Sequence, residues 1–186
     1  MRWLILLMLL ARPGLAQDLQ GNDTPGNWRV THHQIFGIWN SMCDEREEDG
    51  ALRQRCYIRR VDVFSPRPDF AAQFLFITPE TEGYKVEFGM EAGTLFHPSG
   101  FRIEGKAGEV WHTRRPGCLT GLSCVFELDA AQGLIDAMQS GSAFRFTFRD
   151  RHGQAQDLTW PLDGFGEAWA DFNTQSRQRN LISARN

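Results

Sequence analysis

The sequence predicts an all-β domain that carries two short helices and is cross-linked by two disulfides. Most of the chain consists of short apolar or alternating runs separated by Gly and Pro, a pattern typical of antiparallel strands. Two stretches, near residues 134 and 169, instead have the spacing of an amphipathic helix. Four cysteines form two close pairs along the chain. Together these observations favour a compact β domain over a helical or mixed one.

Residues 1–16 have the features of a secretory signal peptide. Arg2 precedes an apolar run over residues 3–10, and Gly14 and Ala16 supply small residues for cleavage before Gln17. The run is much shorter than the roughly 20 residues that cross a bilayer as a helix. We therefore expect export into the periplasm or secretion, with no transmembrane span after cleavage; an uncleaved N-terminal anchor is the alternative.

The remaining chain divides into three predicted parts. Residues 17–34 form a flexible polar leader, residues 35–172 form the folded domain, and residues 173–186 form a polar C-terminal tail. The whole chain has a formal net charge of −3 at pH 7. This charge argues against a nucleic-acid partner.

The cysteines Cys43, Cys56, Cys118 and Cys124 make an even set in a chain with export features, which predicts two disulfides. Three pairings are possible, and loop-closure entropy does not select the local one. We choose Cys43 with Cys56 because they flank a charged segment, residues 44–50, where a hairpin would bring them together. Cys118 and Cys124 similarly bracket a Gly-rich turn. A redox or metal site is the less favoured interpretation.

Nine strands and two helices are expected in the folded domain. The predicted strands cover residues 35–42, 56–64, 70–78, 84–88, 101–104, 110–113, 123–128, 143–149 and 156–161. Pro66 and Pro68 interrupt any ladder between the second and third strands. A turn at residues 150–153 should close a hairpin between the last two strands.

The first helix begins at Asp129, which we expect to cap it with Gln132 in a capping box, and Gly141 ends it. Its apolar face carries Leu134, Ile135 and Met138. The second helix starts near residues 163–164. Its aromatic face of Phe165, Trp169 and Phe172 should cover the edge or end of a sheet.

No segment contains a recognisable catalytic motif. The histidines do not cluster in sequence: they are His32, His33, His97, His112 and His152. Motifs for a serine nucleophile or a phosphate-binding loop are missing. The acidic residues 44–49 could attract calcium, but they lack EF-hand spacing and are predicted to form a solvated hairpin tip. The arginine pairs at residues 59–60 and 114–115 are too short to indicate polyanion binding.

The order of motifs resembles the invasion-associated locus B family of exported alphaproteobacterial proteins. In the C-terminal half the resemblance rests on residues 117–118, Cys124, the helix over residues 134–141, the strand at 144–148 and the segment 158–168; in the N-terminal half it rests on Trp39, Cys43 and Cys56. It implies an immunoglobulin-like β-sandwich in the periplasm or cell envelope, with no established catalytic residues to transfer.

We therefore predict a non-enzymatic periplasmic or envelope protein that binds another protein through loops or a sheet edge, without a metal or cofactor. Two alternatives remain open. One is a small periplasmic enzyme or metal-binding factor that uses His97, His112 or residues 44–49. The other is a structural subunit of an envelope complex.

Overall fold

The computed structural model of the chain describes residues 27–63 and 72–182. The predicted signal peptide, residues 17–26 of the predicted leader, the proline-rich break at residues 65–68 and the last four residues lie outside this part. The elements in chain order are β1 (Arg29–Phe36), β2 (Trp39–Glu48), β3 (Ala51–Val63), β4 (Ala72–Pro79), β5 (Tyr84–Gly89), β6 (Leu95–Gly105), β7 (Gly108–His112), α1 (Pro116–Leu119), β8 (Cys124–Glu127), α2 (Leu128–Ser140), β9 (Ala143–Arg149), β10 (Ala155–Pro161) and α3 (Phe165–Gln178).

The strands form two antiparallel sheets. The larger sheet has six strands in the order β1-β2-β3-β4-β5-β8, of which the first five form a meander. The smaller sheet has four strands in the order β10-β9-β6-β7. The chain leaves the larger sheet after β5, returns to it for β8 and then completes the smaller sheet.

An aromatic core joins the two sheets. Phe88 of β5 packs edge-on against Phe101 of β6 and Phe144 of β9, with ring centroids 4.8 and 5.6 Å apart. Trp39 of β2 meets Trp160 of β10 at 6.4 Å, and both tryptophans are completely buried. Large aromatic side chains supply much of the apolar area that such a core removes from water. This arrangement confirms the predicted all-β sandwich.

Helix α3 completes the inner layer where the larger sheet extends beyond the smaller one. Phe165 packs on Trp39 at 5.1 Å, and Trp169 packs on Tyr84 at 4.7 Å. His32 Nε2 of β1 lies 2.7 Å from Asp171 Oδ2, which ties the edge strand to the helix. The helix thus lies against β1, β2 and β3, and its predicted aromatic face reaches from Trp39 of β2 to Tyr84 of β5.

The hairpins differ from the prediction at two places. The predicted strand over residues 35–42 is divided by a turn, because Gly37 has a φ of 60° and Trp39 pairs back with Phe36. The charged segment at residues 44–50 is not a loop. Strand β2 continues to Glu48, and only Asp49 and Gly50, both with positive φ, form the turn.

The helices also differ from the prediction in detail. A third helix, the single turn α1, contains Cys118. Helix α2 begins at Leu128 with Glu127 as its N-cap and no side-chain cap, and Gln132 donates to Asp136 instead (2.8 Å), so the predicted capping box is wrong. Gly141 does end this helix, through a hydrogen bond from its N–H to Ala137 O.

The structure extends the folded domain at both ends. Strand β1 lies within the segment assigned to the flexible leader, because residues from Arg29 onwards pair with β2. Helix α3 continues past Phe172 to Gln178, since Asn173 and Ser176 also face the interior. The sequence placed these boundaries at residues 35 and 172 because apolar periodicity is weak beyond them.

Candidate functional site

The outer face of the larger sheet carries a group of apolar and aromatic side chains that no element among the described residues covers. On β3, Tyr57, Arg59 and Val61 alternate with buried inner-face residues, and on β4, Phe74 and Phe76 do the same. We call these five residues the outer patch. Val61 is 43% exposed and Phe74 36%. Contiguous apolar surface of this kind marks interaction sites on folded proteins.

Cross-strand pairing holds the outer patch together. Arg59 is paired with Phe76, and Val61 with Phe74. The Phe76 ring lies 5.8 Å from Tyr57 and 5.5 Å from Phe74, both edge-on. These contacts fix the aromatic rings in a row across two central strands, which lowers the entropy that a partner must remove on binding.

Gly89 on β5 makes room for the end of this row. It is paired with Phe74, and a Cβ at this position would lie 1.7 Å from Phe74 Cζ. The Phe74 ring therefore lies across the Gly89 backbone.

Arg59 supplies the charge of the outer patch. Its neighbours on β3 are engaged: Arg55 donates two hydrogen bonds to Asp44, at 2.6 and 3.0 Å, and Arg60 on the inner face lies 3.5 Å from Asp62. Within the part of the chain that the structure describes, Arg59 forms no ion pair with a carboxylate. The predicted basic spot at residues 59–60 is thus split between the two faces of the sheet.

A polar cluster borders the outer patch at Asp44. This carboxylate is 3% exposed and accepts hydrogen bonds from Arg55 and from the Tyr57 hydroxyl at 3.2 Å. Burial and the Asp44 charge raise the pKa of Tyr57, so its hydroxyl stays protonated and donates. The Arg55 guanidinium lies over the Trp28 ring at 3.8 Å. Because Asp44 is buried in an ion pair, the prediction of a solvated hairpin tip is wrong at this residue.

The histidines do not converge on one site: His32 and His33 are neighbours on β1 with separate partners, and the other three lie elsewhere in the fold. His33 Nε2 is 2.8 Å from Asn40 Oδ1, and His32 contacts α3 as described above. His97 is exposed on β6, and His152 lies in the β9–β10 turn. Among residues 27–63 and 72–182, no three His, Cys, Asp or Glu side chains are grouped as metal ligands.

His112 is part of a short chain of side chains. Its Nδ1 lies 2.7 Å from Glu109 Oε1, and its Nε2 accepts a hydrogen bond from Arg114 Nε at 3.2 Å. Since Nε2 accepts, Nδ1 carries the proton and donates to Glu109.

The two disulfides have the local pairing chosen from the sequence. Cys43 and Cys56 face each other across β2 and β3, and Cys118 is joined to Cys124 across the α1 turn. All four cysteines are buried, so these bonds lie in the hydrophobic core and away from solvent. This burial suits a structural role.

Among the grooves formed by the described residues, two lie beside the sandwich. The larger, of about 1060 Å³, lies beside Tyr84 and Trp169 and is bordered by Glu80, Asp129 and Arg177. The smaller groove, of about 440 Å³, lies where β7 meets β8 and the start of α2. It is lined by Glu109, Val110, Trp111, His112, Arg114, Arg115, Phe126 and Ala130.

Sequence reasoning missed the outer patch, although a signal was present. Tyr57, Val61 and Val63 lie on one face of a predicted strand, and residues 74–77 of the next predicted strand are apolar at four successive positions. A strand that is apolar on both faces indicates that its outer face is covered by something or binds something. None of the three helices in the described segments has the length and apolar composition needed to cross a membrane.

No protein-family model matches the sequence, and no curated protein matches it. The fold is similar to that of a solved structure, invasion associated protein b from Bartonella henselae. The TM-score is 0.50 with 15% sequence identity, and the match covers 80% of this chain and 99% of that one. At this level of identity the similarity shows a shared fold alone.

Proposed function

We propose that the protein is an exported, non-enzymatic binding module of the periplasm or cell envelope that docks a partner protein on the outer patch. The observation that carries the proposal is the row Tyr57, Phe76 and Phe74 beside an arginine that lacks an ion-pair partner among the described residues. Aromatic residues and arginine dominate the binding energy of protein interfaces.

The patch defines the chemistry of its partner. Phe74 and Val61 offer apolar surface, and Arg59 offers a guanidinium that matches a carboxylate in two parallel hydrogen bonds. A partner surface that places an apolar side chain next to Asp or Glu satisfies both. The similarity in fold to invasion associated protein b supports a relationship to the invasion-associated locus B family.

The compartment is part of the proposal. Two buried disulfides suit an oxidising environment such as the periplasm. The signal-peptide features of residues 1–16 support the same location.

Site-specific photo-crosslinking in the native cell tests the docking surface. A photoreactive phenylalanine at position 76 should give a defined adduct, whereas the same residue at Thr159, exposed on the outer side of the smaller sheet, should not. The Arg59→Glu substitution should remove the adduct without lowering the melting temperature.

Equal adducts from positions 76 and 159, or an adduct that survives Arg59→Glu, would overturn the proposed surface. Metal analysis of the same purified protein addresses the alternative: a stoichiometric metal would favour a metal-binding factor.

A further inference from the structure

The smaller groove contains two arginines whose charge is not balanced within the described chain. Arg114 and Arg115 are exposed, and neither forms an ion pair with a carboxylate among residues 27–63 and 72–182. Among the described residues, Glu109 is the only acidic side chain that lines the groove, and it is hydrogen-bonded to His112. The groove therefore carries an excess of positive charge.

The two arginines are held in place by neighbours. Arg114 uses Nε to reach His112, and its two terminal amino groups form no hydrogen bond with the described residues. The Arg115 guanidinium lies over the Phe126 ring at 4.9 Å. A guanidinium stacked on an aromatic ring keeps its N–H groups in the plane, where they can bind a planar anion.

The floor of the groove is apolar. Trp111 of β7 is partly buried and packs edge-on, at 5.7 Å, on the buried Phe126 of β8, and Val110 is 49% exposed beside them. Its volume of about 440 Å³ falls within the range of small-molecule sites. Cations beside an aromatic floor complement a molecule that has one anionic end and one apolar end.

We propose that this groove binds a small carboxylate attached to an apolar group. The carboxylate lies between the Arg114 and Arg115 guanidiniums, and the apolar group lies on Trp111 and Val110. This site is separate from the outer patch and does not depend on the proposed docking function.

Calorimetric titration of the full mature chain tests the site with 3-phenylpropionate as probe. Its neutral amide and inorganic phosphate serve as matched ligands that lack the charge or the apolar group. We expect the acid to bind at least tenfold more tightly than either. Arg114→Gln and Arg115→Gln should each weaken binding about tenfold, because each removes a charge-assisted hydrogen bond.

Arg53→Gln, an equal change of charge on β3, is the control and should leave the affinity unchanged. Arg115→Lys keeps the charge but loses the planar fork, so it should weaken binding less than Arg115→Gln does. The melting temperature of each variant establishes that it is folded.

Several results would overturn the proposal: equal affinity for the acid and its amide, equal affinity for phosphate, or no effect of the two glutamine variants. Binding of an acidic peptide without binding of 3-phenylpropionate would also overturn it, because the groove would then be a peptide site.

Discussion

Asp44 is a buried carboxylate that joins two strands and the start of the domain. It accepts from Arg55 and Tyr57, and Arg55 in turn stacks on Trp28. Loss of this carboxylate removes the acceptor of the partly buried Tyr57 hydroxyl and of the exposed Arg55 guanidinium.

We expect Asp44→Ala to lower the free energy of unfolding by about 2 kcal/mol, since the loss of an acceptor in a partly buried cluster costs this much. Urea denaturation followed by tryptophan fluorescence measures the change. Asp157→Ala is the control, because Asp157 pairs with Arg145 on an exposed face and should matter much less. Equal effects of the two substitutions would contradict the role given to Asp44.

Asp150 makes the β9–β10 turn sensitive to acid. Its carboxylate accepts from the Gln156 side chain and from the N–H groups of Gln154 and His152, each at 2.9 Å. These bonds lower the pKa of Asp150, the Gln156 bond most strongly. The unfolded chain therefore takes up this proton at a higher pH than the folded chain does.

The stabilisation from the Asp150 carboxylate is present above the ordinary aspartate pKa of about 3.9 and is lost as the pH falls through the lower folded value. The Asp150→Asn variant should thus show a flatter decline in stability between about pH 5 and 2. Denaturation midpoints measured across that pH range give the dependence of stability on pH. The control is Glu47→Gln, which removes an exposed carboxylate on β2. If the stability of Asp150→Asn fell with pH as steeply as that of the unsubstituted protein, Asp150 would not contribute to the acid sensitivity.

At the scale of the elements, the junction between β8 and α2 places a residue with a side chain in a backbone conformation that favours glycine. The chain changes from strand to helix within one residue at Leu128, which has a φ of 51°. This left-handed conformation costs a residue with a Cβ about 1–2 kcal/mol. The Leu128 side chain is 59% exposed, so its packing offsets little of that free-energy cost.

We expect Leu128→Gly to raise the free energy of unfolding by about 0.5 kcal/mol, because the relief of strain exceeds the added entropy of the unfolded chain. Leu134→Gly in the buried face of α2 should instead cost more than about 3 kcal/mol. Chemical denaturation of both variants provides the comparison. A loss above about 1 kcal/mol for Leu128→Gly would contradict the strain argument.

For the whole molecule, the two disulfides close loops of different length. Their sequence separations of 13 and 6 residues correspond to about 3 and 2 kcal/mol of lost unfolded-state entropy. We expect the Cys43→Ala, Cys56→Ala double variant to be less stable than the Cys118→Ala, Cys124→Ala variant by about 1 kcal/mol. Equilibrium denaturation of both variants measures which is less stable. If the Cys118→Ala, Cys124→Ala variant were the less stable one, packing around the disulfides and not loop length would determine their contributions to stability.

The sequence predicted those parts of the fold that depend on neighbouring residues. The strand at residues 143–149 has the predicted bounds, because alternation and the following turn are both local signals. The prediction missed the start of β1, because apolar and polar residues alternate only weakly there. It also missed the division of the strand at Gly37, because the apolar pattern continues through the turn.

The candidate sites were less predictable because both depend on contacts between distant segments. The outer patch needs β3 beside β4 in a register that pairs Arg59 with Phe76. The smaller groove needs Trp111 of one sheet to meet Phe126 of the other. Sequence showed the arginine pair at 114–115 but not the aromatic floor beside it.

The contact between Trp39 and Trp160 gives the molecule an optical reporter of its own. Two indoles held edge-to-face with centroids 6.4 Å apart, one in each sheet, have coupled electronic transitions. Their near-ultraviolet circular dichroism depends on the distance and angle between the rings. Any event that separates the layers, whether heating, reduction or a bound partner, would therefore change this signal, and no added label would be needed to follow it.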